Sequence, residues 1–450
     1  MRLWIRRIIF SIFALSFAIS AIGLLLYANG YRFNIDSGWF EKTGVIYASS
    51  DPSGASISLG TATTGSFWQR SVLPRKPFKT PQRITYVLPG VYHVILSKDS
   101  YFDFRRDIEV QVGKTAFFND IVLLKQSSPS RITDVSAVDT MIPLNKSSFV
   151  VSTSQGLSLL NIKTDTLTTL DLTQKKIANI KISPDGAFIF VQNDVAWYRY
   201  DVNNPLAPSV RIDIALADHL AFDNHGILYS CGGKGIIVHP DISQKIVVHD
   251  REVFDCVVSG SNLYFLSRDT NGVSVDMIAT GQSNSPAQSR AHLPVKQAIF
   301  GDVSASDLLI KGSDGSSFIY DTHDAVPHIV DLEKMTHVTV YDENTYVGNN
   351  DIEMNRYYIS KNAVSKNLIT RESDGISDVT IEPTIPYIFF VSRGHDIIAL
   401  ENSDNPSSNR YIIATFDHVE ALRMLSDKKT LLIAGTQDGN NGIFTLQVLP

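Results

Sequence analysis

Few residues in this 450-residue chain have types and spacing that suggest chemistry. Ser183-Pro184-Asp185-Gly186, Ser313-Asp314-Gly315 and Ser373-Asp374-Gly375 each set a carboxylate beside a glycine. A calcium loop needs acidic or amide side chains at alternate positions and a closing glutamate; none of these has that spacing. Between apolar runs, Asp and Gly make tight turns, and turns are expected here. Histidines such as His219, His225, His239 and His249 are scattered, with no H-x-H or H-E-x-x-H pattern, so no metal site is expected. Gly232-Gly233-Lys234-Gly235 lacks the spacing and the following Ser/Thr of a P-loop and reads as a hairpin turn. There is no G-x-S-x-G elbow to supply a hydrolase nucleophile. The two cysteines, Cys231 and Cys256, sit in neighbouring strand units. A disulfide and two buried free thiols both remain open, with free thiols the favoured reading, because strand pairing alone does not bring their Cβ atoms within bonding range. The expectation is a chain with no catalytic residue, no cofactor and no metal.

The elements around these residues say more. The run that begins at Ile8 and ends at Ala28 holds 21 residues, none charged. As a helix it reaches about 31 Å, enough for the ~30 Å core of a bilayer. Arg2, Arg6 and Arg7 precede it, while Arg32 and Lys42 follow, mixed with Asp36 and Glu41. That bias predicts a cytoplasmic N-terminus and an extracytoplasmic remainder. A cleaved signal peptide is the alternative, but its apolar region is shorter, about 7–15 residues, and ends at a small-x-small site. The Ala18-x-Ser20 candidate lies inside the run. Net charge is −6 and no basic block follows the arginines, so no nucleic-acid partner is expected. Abundant aromatic and β-branched residues argue for β structure beyond the anchor.

Residues 29–44 read as a short stalk, with Trp39 and Phe40 expected to touch the first domain. From 45 to 125, short alternating strands are punctuated by Gly and Pro, the pattern of a small antiparallel sandwich. The turn of Pro52, Ser53, Gly54 and Ala55 between two strands resembles the one that names the bacterial PEGA domain. The resemblance continues in Lys79-Thr80-Pro81, in Leu88-Pro89-Gly90-x-Tyr92, in Lys98-x-x-Tyr101, and in the closing V-x-V-G that ends at Gly113. Ser53 stands where the family often has Glu, Asp99-Ser100 replaces the usual glycine before Tyr101, and a segment near 61–75 lengthens the first loop. The resemblance implies a non-catalytic, surface-exposed β module of the cell envelope.

A Ser/Pro linker at 126–130 marks a boundary. Beyond it, from 131 to 450, eight short apolar strands recur: 148–154, 187–193, 226–232, 262–268, 307–313, 344–350, 386–392 and 430–436, spaced 36 to 45 residues apart. Each has a strand before it and one or two after it. A four-stranded unit repeating near 40 residues is the signature of a β-propeller. Eight blades are expected, with seven the alternative. The last unit is one strand short, and residues 131–137 are expected to complete it. The inner strands that can be picked out show no shared motif.

The fold class is therefore mainly β: a transmembrane helix (1–28 with its cytoplasmic stub), a stalk, a PEGA-like sandwich and a C-terminal propeller. The expected function is non-catalytic binding or scaffolding, on the membrane through residues 8–28, with envelope proteins or wall polymer as partners. Two alternatives stay open: a propeller enzyme or sensor with a small ligand or metal in its channel, and an assembly factor for envelope proteins.

Overall fold

In a computed structural model of the chain, apolar and alternating runs become one helix and forty-one strands among the described residues. It describes residues 3–34, 38–61, 78–135, 137–154, 156–170, 177–194, 196–215, 218–239, 246–249, 252–270, 272–280, 287–303, 307–322, 329–335, 337–342, 345–350, 352–360, 363–381, 388–401 and 409–450. The loop insertion near 61–75 lies, from residue 62, outside them. The chain divides into two compact units.

The first unit comprises Met1–Ser128, Leu400–Ile413 and Gln447–Pro450. Its helix, Leu3–Ala28, carries the uncharged run. Ile9–Ala28 has a mean hydropathy of 2.5, and none of its most apolar stretch is buried within the chain. A helix satisfies its own backbone, so such a segment is stable in lipid. Gly30 ends it at φ +83°, in the left-handed region that closes helices, and Asn29 returns its backbone N–H to the carbonyl of Leu25 at 3.1 Å. A hairpin of Tyr31–Asn34 and Trp39–Lys42 follows.

The module after it is two sheets packed face to face. One orders Gln82–Val87, Gly44–Asp51 and Thr115–Val122; the other orders Phe78–Lys79, Ser56–Thr61, Gly90–Ser97 and Phe104–Val110. Alternating side chains of both sheets, among them Ile46, Ala48, Ile57, Ile84, Val94, Leu96, Phe104 and Phe118, form a single core. The sandwich is not wholly antiparallel as expected: Gly44–Asp51 and Thr115–Val122 pair in parallel. These strands are joined through the opposite sheet, and only a crossover of that kind permits parallel pairing.

Gly44 shows how tightly the module closes. A Cβ there would stand 2.5 Å from Val110 Cγ1 and 2.8 Å from the Gln111 carbonyl oxygen. Gly44→Ala is expected to destabilise the module by about 1–3 kcal/mol through overpacking. Hydrogen exchange of the amides in Gly44–Asp51 measures it; unchanged protection would contradict the packing described.

Eight four-stranded sheets follow among the described residues, and each of the eight strands expected from the repeat is the second strand of its sheet. In chain order the sheets span 138–169, 177–212, 219–249, 253–293, 298–334, 337–371, 376–415 and 418–447; they are called sheets 1 to 8. Second strands such as Leu228–Gly232 and Ile388–Arg393 are buried almost throughout, because a neighbouring sheet covers each face. That is why they read as unbroken apolar runs. Apolar clusters cross the seams. Phe190 and Trp197 of sheet 2 pack with Leu220 and Leu228 of sheet 3. Leu266 and Val275 of sheet 4 pack with Ile310 and Phe318 of sheet 5. Met141 and Val151 of sheet 1 pack with Leu432 and Ile443 of sheet 8, so the series closes on itself. Ser130–Thr133 adds to the outer edge of sheet 8, with Ser130 opposite Thr445 and Arg131 opposite Phe444. This is the strand that the last unit lacked.

Candidate functional site

The turn and strand residues of the module act as structural ties. Thr80 organises the Pro52–Ala55 turn: its Oγ1 accepts the Ala55 N–H at 3.0 Å and lies 2.6 Å from Ser50 Oγ, while its carbonyl accepts the Gly54 N–H at 2.7 Å. Lys98 donates to the Ser53 carbonyl at 2.5 Å. After Leu88, Pro89 and Gly90, the Tyr92 hydroxyl donates back to the Leu88 carbonyl at 2.9 Å; burial pushes that hydroxyl's pKa up. Tyr101 bridges to Lys125. Gly113 turns at φ +67° and donates its N–H to Thr43. These residues thus fasten loops and do not converge on one pocket. At the helix, Arg6 and Arg7 are exposed and Ala28 is the last helical residue. Ile8 lies on the same helix.

The inner strands hold what the sequence reading missed. Among the described residues, five of them carry a register shift near their start, after Val138, Ile177, Val253, Ile376 and Val419. In two, an aspartate follows the shift and does the same work. Asp255 accepts the N–H of Cys256 at 2.8 Å and, across the seam, that of Phe300 in sheet 5 at 2.8 Å. Asp378 accepts the N–H of Val379 at 2.9 Å and that of Leu422 in sheet 8 at 2.9 Å, and pairs with Arg423 at 2.7 Å. Glu420 accepts the N–H of Val138 at 2.6 Å and so ties sheet 8 to sheet 1. No motif runs through all the inner strands, but two of them share an apolar-x-Asp step, Val253-x-Asp255 and Ile376-x-Asp378. The register shift hides it from a search by simple alternation.

Charge-assisted bonds of this kind are stronger than neutral ones, and here they are spent on holding adjacent sheets. His219 Nδ1 lies 3.3 Å from Asp255 Oδ1. Burial raises the Asp255 pKa, opposed by His219, the Phe300 N–H and Lys181. Asp218 is also raised by burial, opposed by Lys234 and His219. One more tie spans a seam: Cys231 of sheet 3 and Cys256 of sheet 4 form a disulfide, with Cα atoms 6.0 Å apart. The favoured reading of free thiols is corrected, because packing of sheet 3 on sheet 4 supplies the approach that strand pairing does not.

The other candidates behave as turns or core. Asp185 accepts bonds from Ser183 Oγ and the Ala187 N–H, which hold its carboxyl below the usual range. Asp314 caps its own turn through the Ser316 N–H at 3.0 Å, and Asp374 pairs with Arg393. Gly232 and Gly235 face each other across a hairpin. His239 lies 2.9 Å from Ser230 Oγ, and the His249 ring packs at a tilt against Phe265, centroids 4.9 Å apart. Among the described residues no three His, Cys, Asp or Glu side chains come together as a metal site would require. A cleft of about 680 Å³ lies beside sheet 4, lined by Arg268, Asp269, Thr270, Lys296 and Ser313 among others.

Residues 43–123 match the PEGA domain family. No curated relative matches the chain. Among solved structures, the Dos1 propeller is similar at a TM-score of 0.52 and 12% identity, over 72% of this chain and 95% of that one. A structure titled as the eukaryotic initiation factor is similar at a TM-score of 0.48 and 11% identity, over 73% of this chain and 93% of that one. At 12% identity the likeness to the Dos1 propeller is one of fold. The chain is mostly β, with an N-terminal apolar helix, a PEGA domain and a propeller-like fold.

Proposed function

We propose that the chain is a non-catalytic binding or scaffold protein of the cell envelope, anchored in the membrane by its helix, with its β units on the extracytoplasmic side. The observation that carries this reading is the pairing of an apolar helix, whose most apolar stretch is not buried within the chain, with an array of sheets in which the inner-strand carboxylates Asp255 and Asp378 are engaged across the seams. A sheet array tied at its seams presents fixed loops at both ends, and loops on rigid scaffolds carry recognition. The arginines before the helix favour a cytoplasmic N-terminus. Envelope proteins or wall polymer are the proposed partners. Pull-down of the anchored protein from crosslinked membranes tests this, against a variant lacking residues 131–450. Defined envelope proteins or polymer recovered only with the full chain are expected. Identical recovery with both proteins would remove the propeller from the binding role.

A further inference from the structure

The segment after the helix is more than a stalk. Arg32 lies between two tyrosine rings, its guanidinium carbon 3.6 Å from the Tyr27 centroid and 3.9 Å from that of Tyr86. Its Nη1 also donates to the carbonyls of Tyr27 at 3.0 Å and Tyr31 at 2.8 Å. Cation–π stacking of this kind is strongest where water is excluded. Thr43 donates both its N–H and its hydroxyl to the Gly30 carbonyl, at 2.9 and 2.7 Å, which pins the two ends of the hairpin together. The Thr43 carbonyl in turn accepts from Gly113. Helix end, hairpin and module edge are thus one tied assembly within the first unit.

From that base the hairpin turns its aromatic residues outward. Phe33 faces Phe40 and Asn34 faces Trp39 in its register. Phe33 and Phe40 pack edge to face at 5.4 Å, yet Trp39 is 76%, Phe33 54% and Phe40 47% exposed. Trp39 and Phe40, expected to touch the first domain, both remain largely on the surface. Three large exposed aromatics sit at one end of the hairpin, while Arg32, Glu41 and Lys42 occupy its base.

We propose that this hairpin tip docks into the lipid interface of the bilayer that the helix spans, and thereby sets the depth of the helix and the stance of the module above the membrane. The proposal rests on the membrane reading above. The hairpin begins only three residues after the helix ends, and Leu24, Leu25 and Tyr27 in the last helical turns are exposed as well. Trp and other amphipathic aromatics concentrate where headgroups meet acyl chains.

Tryptophan emission tests this on the full-length protein in vesicles whose lipids are brominated near the headgroup. The chain has four tryptophans. Trp197 is fully buried and is kept in every variant. W4F/W68F reports Trp39, W39F/W68F reports Trp4, and W4F/W39F/W68F serves as the blank. The expected result is that bromine lowers the Trp39 signal by about half relative to ordinary lipid, while aqueous iodide leaves it nearly unchanged. If iodide quenches Trp39 and bromine does not, the docking is overturned; quenching by neither points to a protein contact and overturns it equally. Trp4 separates the two levels of the account. Trp4 quenched by bromine with Trp39 unaffected defeats the docking alone, whereas neither tryptophan quenched defeats the anchor itself.

Discussion

Replacing Cys231 and Cys256 together by serine is expected to cost about 3–4 kcal/mol of propeller stability, the chain-entropy value for a crosslink closing a loop of this length. The two cysteines are 25 residues apart in sequence and join sheet 3 to sheet 4. Both are buried, among Tyr229, Ile236, Leu263 and Phe265. The core stays packed around a serine pair, so the principal loss is the constraint on the unfolded chain, with the burial of two hydroxyls added to it. Denaturant unfolding followed through Trp197, which sits in sheet 2 and is fully buried, measures the change. Non-reducing peptide mapping of protein taken from its native membrane measures the bond itself. Disulfides persist in oxidising compartments and are rare in the cytosol, so a quantitative crosslink agrees with an extracytoplasmic propeller. Two free thiols in protein from its own membrane would contradict both the bond and the proposed side.

Arg106→Leu is expected to be the most damaging change in the first unit. Arg106, on strand Phe104–Val110, pairs with Glu401, whose side chain is only 3% exposed. Asn409 completes the arrangement. Its backbone N–H and Nδ2 donate to Glu401 Oε2 at 3.0 and 2.6 Å, and its amide also bonds the backbone of Arg105 at both N and O. The Tyr411 hydroxyl donates to the Asp103 carbonyl at 3.0 Å, and burial pushes its pKa well up. Removing the arginine leaves a carboxylate in a dry site, which costs about 3–5 kcal/mol. Hydrogen exchange across Phe104–Val110 and residues 409–413 should accelerate. The double variant R106L/E401L should recover most of the protection, since replacing a buried pair by apolar groups is close to neutral. A single variant with native exchange rates would show that the pair carries no such load.

How much was legible in the sequence follows from where each signal resides. The second strands of the sheets stand out because burial on both faces demands unbroken apolar runs, as in Ile388–Arg393. The closing strand was legible because residues 131–137 had no other partner, and Arg131 does pair with Phe444. The turn residues around Asp185, Asp314 and Asp374 were read from local chemistry alone, which is where such turns are decided. Features set by the approach of one sheet to another were not legible. The disulfide joins a second strand to the inner strand of the next sheet, and no spacing encodes that meeting. Asp255 and Asp378 sit behind a register shift that breaks the two-residue period. The parallel pair in the module depends on a crossover, and alternation reads the same in either direction. The exposure of Trp39 was missed because an aromatic beside a domain is ordinarily taken up by its core. Here Trp39 stays 76% exposed on a hairpin whose base is closed by the Gly30–Thr43 tie.

The central claim is that the helix holds the chain in a membrane with its β units on the far side. Its most direct test is the accessibility of a C-terminal tag to a membrane-impermeant probe, in intact cells and in inverted vesicles, on protein that resists carbonate extraction. The account predicts labelling in intact cells and protection in inverted vesicles. Release by carbonate, or a tag labelled only in inverted vesicles, would contradict it.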